Sequence, residues 1–132
     1  PTGAVTRAVA AMGDKIKILD FTDEQAKQAD GGLNLWTRFV IKAGTYPGQT
    51  EDINTIAQPN FLAVRADVDE ESVYLITKTL YENLPFLHAI HKATMAMNIE
   101  KAIDGLPMPL HPGALRYYKE AGLDVPEHLV AK

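Results

Sequence analysis

The feature that most constrains the fold of this chain is the stretch Gly44, Thr45, Tyr46, Pro47, Gly48, in which a tyrosine sits between two glycines and a proline. Pro47 drives Tyr46 toward extended backbone, and the glycines open conformations that other residues resist. No helix runs through such a stretch, so it divides the chain. A helix–strand–helix pattern precedes it; short β-rich runs and then helices follow. Taken alone, it reads either as a surface turn or as a crossover between two lobes that offers an aromatic side chain to a cleft.

Upstream, Thr2 is placed to cap a helix whose apolar residues Val5, Ala8, Val9 and Met12 recur at helical spacing, with Gly13 as its stop. Residues 15–21 alternate charged and apolar side chains, a strand signal. Thr22 and Gln25 have capping-box spacing and predict a helix over 23–30, ended by Gly31 and Gly32. Residues 35–41 read as a strand or a buried connection.

Downstream, 53–56 and 61–64 read as two short strands, joined as a hairpin or bent at a crossover. Pro59 keeps the join out of a central ladder. Asp67, Asp69, Glu70 and Glu71 introduce the strongest helix, with Val73, Ile76, Thr77, Leu80 and Leu84 on one stripe. Tyr74, Leu75 and Tyr81 widen that stripe, which predicts burial against more than one neighbour. Pro85 starts a further helix, 98–104 predicts a shorter one, and Pro112 begins the last, through Glu120. Residues 124–132 read as a tail that lies on the surface or caps another element.

The 132 residues suit one domain with a real core, and 46% hydrophobic with 23% charged residues argues against disorder. A formal net charge of -4 provides no basic footprint for nucleic acid. With no cysteine there is no disulfide, zinc–thiolate site or cysteine nucleophile. No apolar run approaches the roughly 18 residues needed to span a bilayer. The chain opens at Pro1, directly on a helix, and is expected to be a portion of a longer one.

Candidate chemistry is sparse. Residues 67–71 fail the EF-hand pattern, because Ser72 and Lys78 stand where glycine and glutamate are required, and their carboxylates suit a first helical turn. His88 and His91 can share a helix face, but no third metal ligand accompanies them. His111, before Pro112, is read as a helix cap. Ser72 is the only serine and lies outside any nucleophile elbow, and no phosphate-binding glycine pattern occurs. A cofactor and an enzymatic activity are not expected. Thr2 and Gly3, at a helix start, offer a hydroxyl and backbone N–H groups that either cap the helix or meet an anion.

Three segments occurring in order carry a resemblance: Ala43-Gly44-Thr45-Tyr46-Pro47-Gly48-Gln49; Asp67-Val68 leading into Val73-Tyr74-Leu75-Ile76-Thr77-Lys78; and Leu110-His111-Pro112-Gly113-Ala114 through Tyr117-Tyr118-Lys119-Glu120 to Gly122-Leu123. Together, and with Pro1-Thr2-Gly3 upstream, they resemble the C-terminal part of TAXI-family solute receptors of TRAP transporters, over nearly the whole chain. The resemblance implies an α/β fold, the C-terminal part of a two-lobed periplasmic-binding-protein-like (type II) architecture. Residues 1–43 would end the second lobe, 44–66 form crossover strands, and 67–132 make the helical part of the first lobe. It further implies a periplasmic or extracytoplasmic receptor that captures a small organic anion or amino acid, such as glutamate or a dicarboxylate, for a sodium-coupled membrane permease. The ligand-binding residues it implies are Tyr46, Thr2 and Gly3, with Arg38 as the arginine nearest the crossover. The alternative is a non-catalytic α/β interaction or dimerisation module without a small ligand, and a homodimer of this portion is expected if it is stable alone.

Overall fold

Thr22 takes the backbone N–H of Gln25 on its hydroxyl, and the Gln25 side chain takes the N–H of Thr22 in return. This reciprocal cap starts helix α2, Asp23–Asp30, which Gly31 ends in the left-handed conformation. The same local rules set the other helices in this computed structural model, which describes residues 2–131. Helix α1 spans Gly3–Met12, with Thr2 at its N-cap and Gly13 at its C-cap. Helix α3 spans Glu70–Glu82, capped by the Asp69 carboxylate on Ser72 N–H; α4 spans Leu84–Ile90 and α5 Pro112–Glu120, each with proline in its first turn. The sheet has two antiparallel strands, β1 (Thr37–Ile41) and β2 (Ile53–Ala57), in the register Thr37 to Ala57 through Ile41 to Ile53. The result is a mixed α/β fold of the kind found in part of a periplasmic-binding protein. Pro1 and Lys132, the two ends of the division expected from the sequence, lie outside the described residues.

The chain forms two compact units, one up to Pro59 and one from Asn60. In the first, the guanidinium of Arg38 on β1 pairs with Asp23 at 3.1 Å and donates to the Phe21 carbonyl at 2.7 Å, tying the start of α2 to the sheet. Asp30 closes the other end of α2. Its carboxylate accepts from the N–H groups of Asn34, Leu35 and Trp36 at 2.6, 2.7 and 3.0 Å, and so fixes the entry into β1.

Burial raises the Asp30 carboxyl, but the backbone N–H groups of Trp36, Asn34, Leu35 and Leu33 outweigh it and hold the group below its ordinary range. A carboxylate depressed in this way adds stability above its unfolded value of about 3.9, and the contribution is lost as pH falls through the lower folded value. The urea midpoint followed by Trp36 emission is therefore expected to drop as pH is taken below about 4. In Asp30→Ala that acid limb should be shallower, and identical acid limbs would contradict the clasp.

The second unit is organised by α3 crossing α5 at Gly113. A β-carbon added there would lie 2.6 Å from the backbone nitrogen of Tyr74, and closer still to the carbonyl of Glu70. Beside the crossing, Tyr81 stacks on Tyr117 with ring centroids 6.2 Å apart and meets Tyr118 edge-on at 5.8 Å. Arg116 lies over the Tyr74 ring, 3.7 Å from its centroid, and pairs with Glu70 and Glu71 across the helices. Ile103, Leu110, Tyr118 and Leu129 form the core. The two nitrogens of His111 bridge two segments: Nδ1 accepts from Gly113 N–H at 3.2 Å and Nε2 meets the Val68 carbonyl at 3.0 Å.

Five expectations are corrected or narrowed. Residues 15–21 form no regular strand: Phe21 N–H reaches the Asn54 carbonyl, but the Asn54 N–H is taken by the Asp20 side chain, not by a backbone carbonyl. Residues 61–64 form no strand either, and β2 pairs instead with β1. The broad stripe of α3 is only partly used, since Leu75 and Ile76 stay about half exposed while Val73 and Thr77 are buried. Of the two readings of the tail, the surface strip fails: Leu129 is the most fully buried of the large side chains described, and its carbonyl accepts from Leu110 N–H at 2.8 Å. The expected helix over 98–104 is reduced to the short 3-10 turn Ile99–Lys101, capped by the Asn98 side chain.

Candidate functional site

Between β1 and β2 the chain makes a closed loop, and its closure is done by side chains. Gly44 and Gly48 both take positive φ, 77° and 75°, which explains glycine on either side of the tyrosine. Gly44 N–H donates to the Gln49 carbonyl at 2.9 Å and Gln49 N–H to the Tyr46 carbonyl at 3.1 Å. Asp52 accepts from Ala43 N–H and from the Lys42 ammonium, each at 2.8 Å. The lysine's hydrogen bond, followed by the Ala43 N–H, holds the Asp52 carboxyl below its usual range against the cost of burial.

This loop points Tyr46 inward. The ring is only 7% exposed, so it is a core side chain of the first unit and not an aromatic lying on the surface. Its hydroxyl oxygen accepts from the backbone N–H of Thr2 at 3.4 Å. Thr2, Gly3 and Tyr46 are thus brought together at one end of α1. Arg38 is not among them, because its guanidinium is engaged by Asp23 and the Phe21 carbonyl.

The N-terminus of α1 carries little of its usual compensation. The Thr2 hydroxyl makes no capping bond, and no acidic residue stands in the first turn. The first intrahelical bond runs from Thr6 N–H to the Thr2 carbonyl, so the N–H groups of Gly3, Ala4 and Val5 have no partner within the helix. Arg7 adds a second positive element. Helical side chains lean toward the N-terminus, and the Arg7 guanidinium lies back over Gly3, 3.4 Å from where a β-carbon would stand. Among the described residues, no carboxylate pairs with it. A guanidinium and the positive end of a helix dipole repel each other, and an anion between them relieves both.

Residues 1–122 match the NMT1-like family. The chain belongs to that family. NMT1-like proteins are of the periplasmic-binding-protein type, whose role is to bind a small molecule as a receptor and which are typically extracytoplasmic. Among the described residues, no helix is long and apolar enough to cross a membrane.

The histidine candidates of this NMT1-like chain form no metal site. His91 caps the 3-10 turn Lys92–Ala96 through Nδ1, and the buried Nε2 of His88 has no hydrogen-bond partner among the described residues. Among the described residues, no group of three or more His, Asp or Glu is placed to hold a metal ion. Sequence reading passed over Arg7, although a signal was there: arginine four residues after a glycine in a first helical turn has both the lean and the room to return to the helix start. Gln49 was passed over as well. Its work is side chain to backbone, which leaves no periodic trace.

Proposed function

We propose that this chain is the C-terminal portion of a TAXI-type solute receptor of a TRAP transporter, periplasmic, which captures a small carboxylate such as glutamate or a dicarboxylate and delivers it to a sodium-coupled permease. Residues 1–43 end its second lobe, 44–66 belong to the crossover, and 67–132 form the helical share of the first lobe. The observation that carries the reading is the unbalanced positive end of α1, where N–H groups without intrahelical partners and Arg7, which no carboxylate among the described residues pairs, stand at the helix start that the Tyr46 hydroxyl also meets. There the carboxylate receives the N–H groups of Gly3 and Ala4, the Thr2 hydroxyl and the Tyr46 O–H, whose hydrogen is left to donate. Arg38 joins only if it leaves Asp23. Ligand that prefers the closed arrangement of the lobes shifts the population toward it, and closure presents the surface that the permease reads.

The test is calorimetric titration of the full-length protein with glutamate, succinate and their uncharged amides. A carboxylate bound at one hundred times its Kd adds about 2.7 kcal/mol to stability. Arg7→Gln is expected to weaken that carboxylate by about tenfold with little change in stability, since a charge-assisted hydrogen bond contributes roughly 1.5 kcal/mol or more. Equal affinity for acid and amide would sink the anion reading. So would an Arg7→Gln protein that binds like the wild type.

A second reading, an interaction or dimerisation module, draws on the exposed apolar side chains of the second unit, Leu62, Phe86, Ile90 and Met95. It requires a concentration-dependent dimer in sedimentation, with no carboxylate binding.

A further inference from the structure

The Gln49 side chain makes more hydrogen bonds than any capping role requires. Its Oε1 accepts from Tyr46 N–H at 3.2 Å, while Nε2 faces three carbonyl oxygens: Ile41 at 3.1 Å, Lys42 at 3.0 Å and Glu51 at 2.8 Å. These groups belong to the end of β1, the loop itself and the approach to β2. The amide orientation is fixed by this set, because a flipped amide would turn its oxygen toward three carbonyl oxygens. The backbone of the same residue closes the loop twice more, on Gly44 and Tyr46. One residue therefore ties both sides of the loop to the backbone of the tyrosine, whose hydroxyl ends at Thr2.

We infer that Gln49 is the positioning residue for the Tyr46 hydroxyl, holding it against the start of α1 and thereby setting affinity for the bound anion. The second half of this inference rests on the capture reading above. The first half does not. Gln49 itself touches no ligand: it acts through the loop, which its four side-chain hydrogen bonds make a single rigid piece. Asp52 anchors only the outer end of the loop, at Lys42 and Ala43, and does not reach the tyrosine.

The substitution that isolates this role is Gln49→Glu, equal in size, with an oxygen in place of the Nε2 group. At neutral pH its carboxylate faces the three carbonyls with no hydrogen to give. Once protonated, which the three facing carbonyl oxygens favour already above the free carboxyl value of about 4, it regains a donor. Full-length protein labelled with 3-fluorotyrosine reports on the position directly, since the resonance of residue 46 is the one absent in Tyr46→Phe.

In Gln49→Glu at neutral pH that resonance is expected to shift and broaden, while Trp36 emission stays as in the wild type. Acidification should bring it back toward the wild-type position, which general loosening of the fold would not do. Glutamate or succinate, whichever the wild type binds, should bind about tenfold more weakly at neutral pH, as expected when a recognition group is left loosely held. Gln49→Met removes all four bonds without adding charge and should shift the resonance without acid recovery. It decides the matter if the glutamate variant loses its Trp36 signal. A resonance unmoved in both variants overturns the inference, and so does a moved resonance with wild-type affinity. If the wild-type protein binds no carboxylate, the capture reading fails, while the resonance still decides whether Gln49 places the tyrosine.

Discussion

Replacing Tyr46 with alanine is expected to cost about 3–5 kcal/mol, the usual loss for deleting a buried aromatic ring. That is a large share of the roughly 5–15 kcal/mol that holds a domain together. Among the described residues of the first unit, Tyr46 and Ala26 are the buried hydrophobic side chains, so the ring is the one large side chain of that unit's buried core. Trp36 lies in the same unit, beside β1, and its emission in urea reads this unit. A midpoint shift worth less than about 1 kcal/mol would mean that the ring is not the centre of that core. Tyr46→Phe separates packing from recognition. It keeps the ring and removes only the hydroxyl, so the urea transition should move by about 1 kcal/mol or less, while carboxylate affinity should fall by roughly tenfold. Equal affinity in the phenylalanine variant would leave Tyr46 as packing alone.

Gly113→Ala is expected to destabilise the second unit by about 3 kcal/mol. The sign is what makes this informative. Inside a helix alanine is ordinarily better than glycine by about 1 kcal/mol, so propensity alone predicts a gain. Here the added β-carbon would run into the backbone of Glu70 and Tyr74, not into a side chain that can swing away, and α3 and α5 would have to part. Parting them also separates Arg116 from Glu70 and Glu71, and Tyr74 from Glu120. Near-ultraviolet dichroism reads this loss, because Tyr74, Tyr81, Tyr117 and Tyr118 all lie in this unit. A neutral or stabilising result would rule out the close crossing.

What could be read from the sequence follows a physical divide. Features set by neighbours along the chain were legible: the Thr22–Gln25 cap, proline in the first turn of α4 and of α5, the carboxylates at the start of α3, and His111 as a cap. Features set by side chains reaching distant backbone were not. The alternation over residues 15–21 is real, but Asp20 supplies the acceptor that a neighbouring strand would have supplied, so no regular strand forms. Residues 61–64 have strand composition and no strand, and β2 pairs with β1 across a loop that Gln49 and Asp52 close. Leu129 sits in a segment with a proline and no amphipathic period, and it is buried because the parallel bridge between Leu110 and Val130 brings the segment back onto the core of Ile103, Leu110 and Tyr118. Of the four residues the resemblance implied, Tyr46, Thr2 and Gly3 lie together at the start of α1, while Arg38 is engaged elsewhere by Asp23 and the Phe21 carbonyl. The resemblance could not indicate Arg7, whose significance depends on its having no carboxylate partner among the described residues.

The imidazole of His111 has a geometric consequence. Because Nδ1 receives the Gly113 N–H, its lone pair must point there, and the ring hydrogen must sit on Nε2, toward the Val68 carbonyl. A flat five-membered ring is thus fixed as a strut of constant length, accepting at one end and donating at the other, between the approach to α3 and the first turn of α5. An asparagine offers both functions on one short carboxamide and cannot keep the two segments at that separation. The histidine before the proline is therefore a spacer with a direction, which sets where the last helix begins relative to the one it crosses.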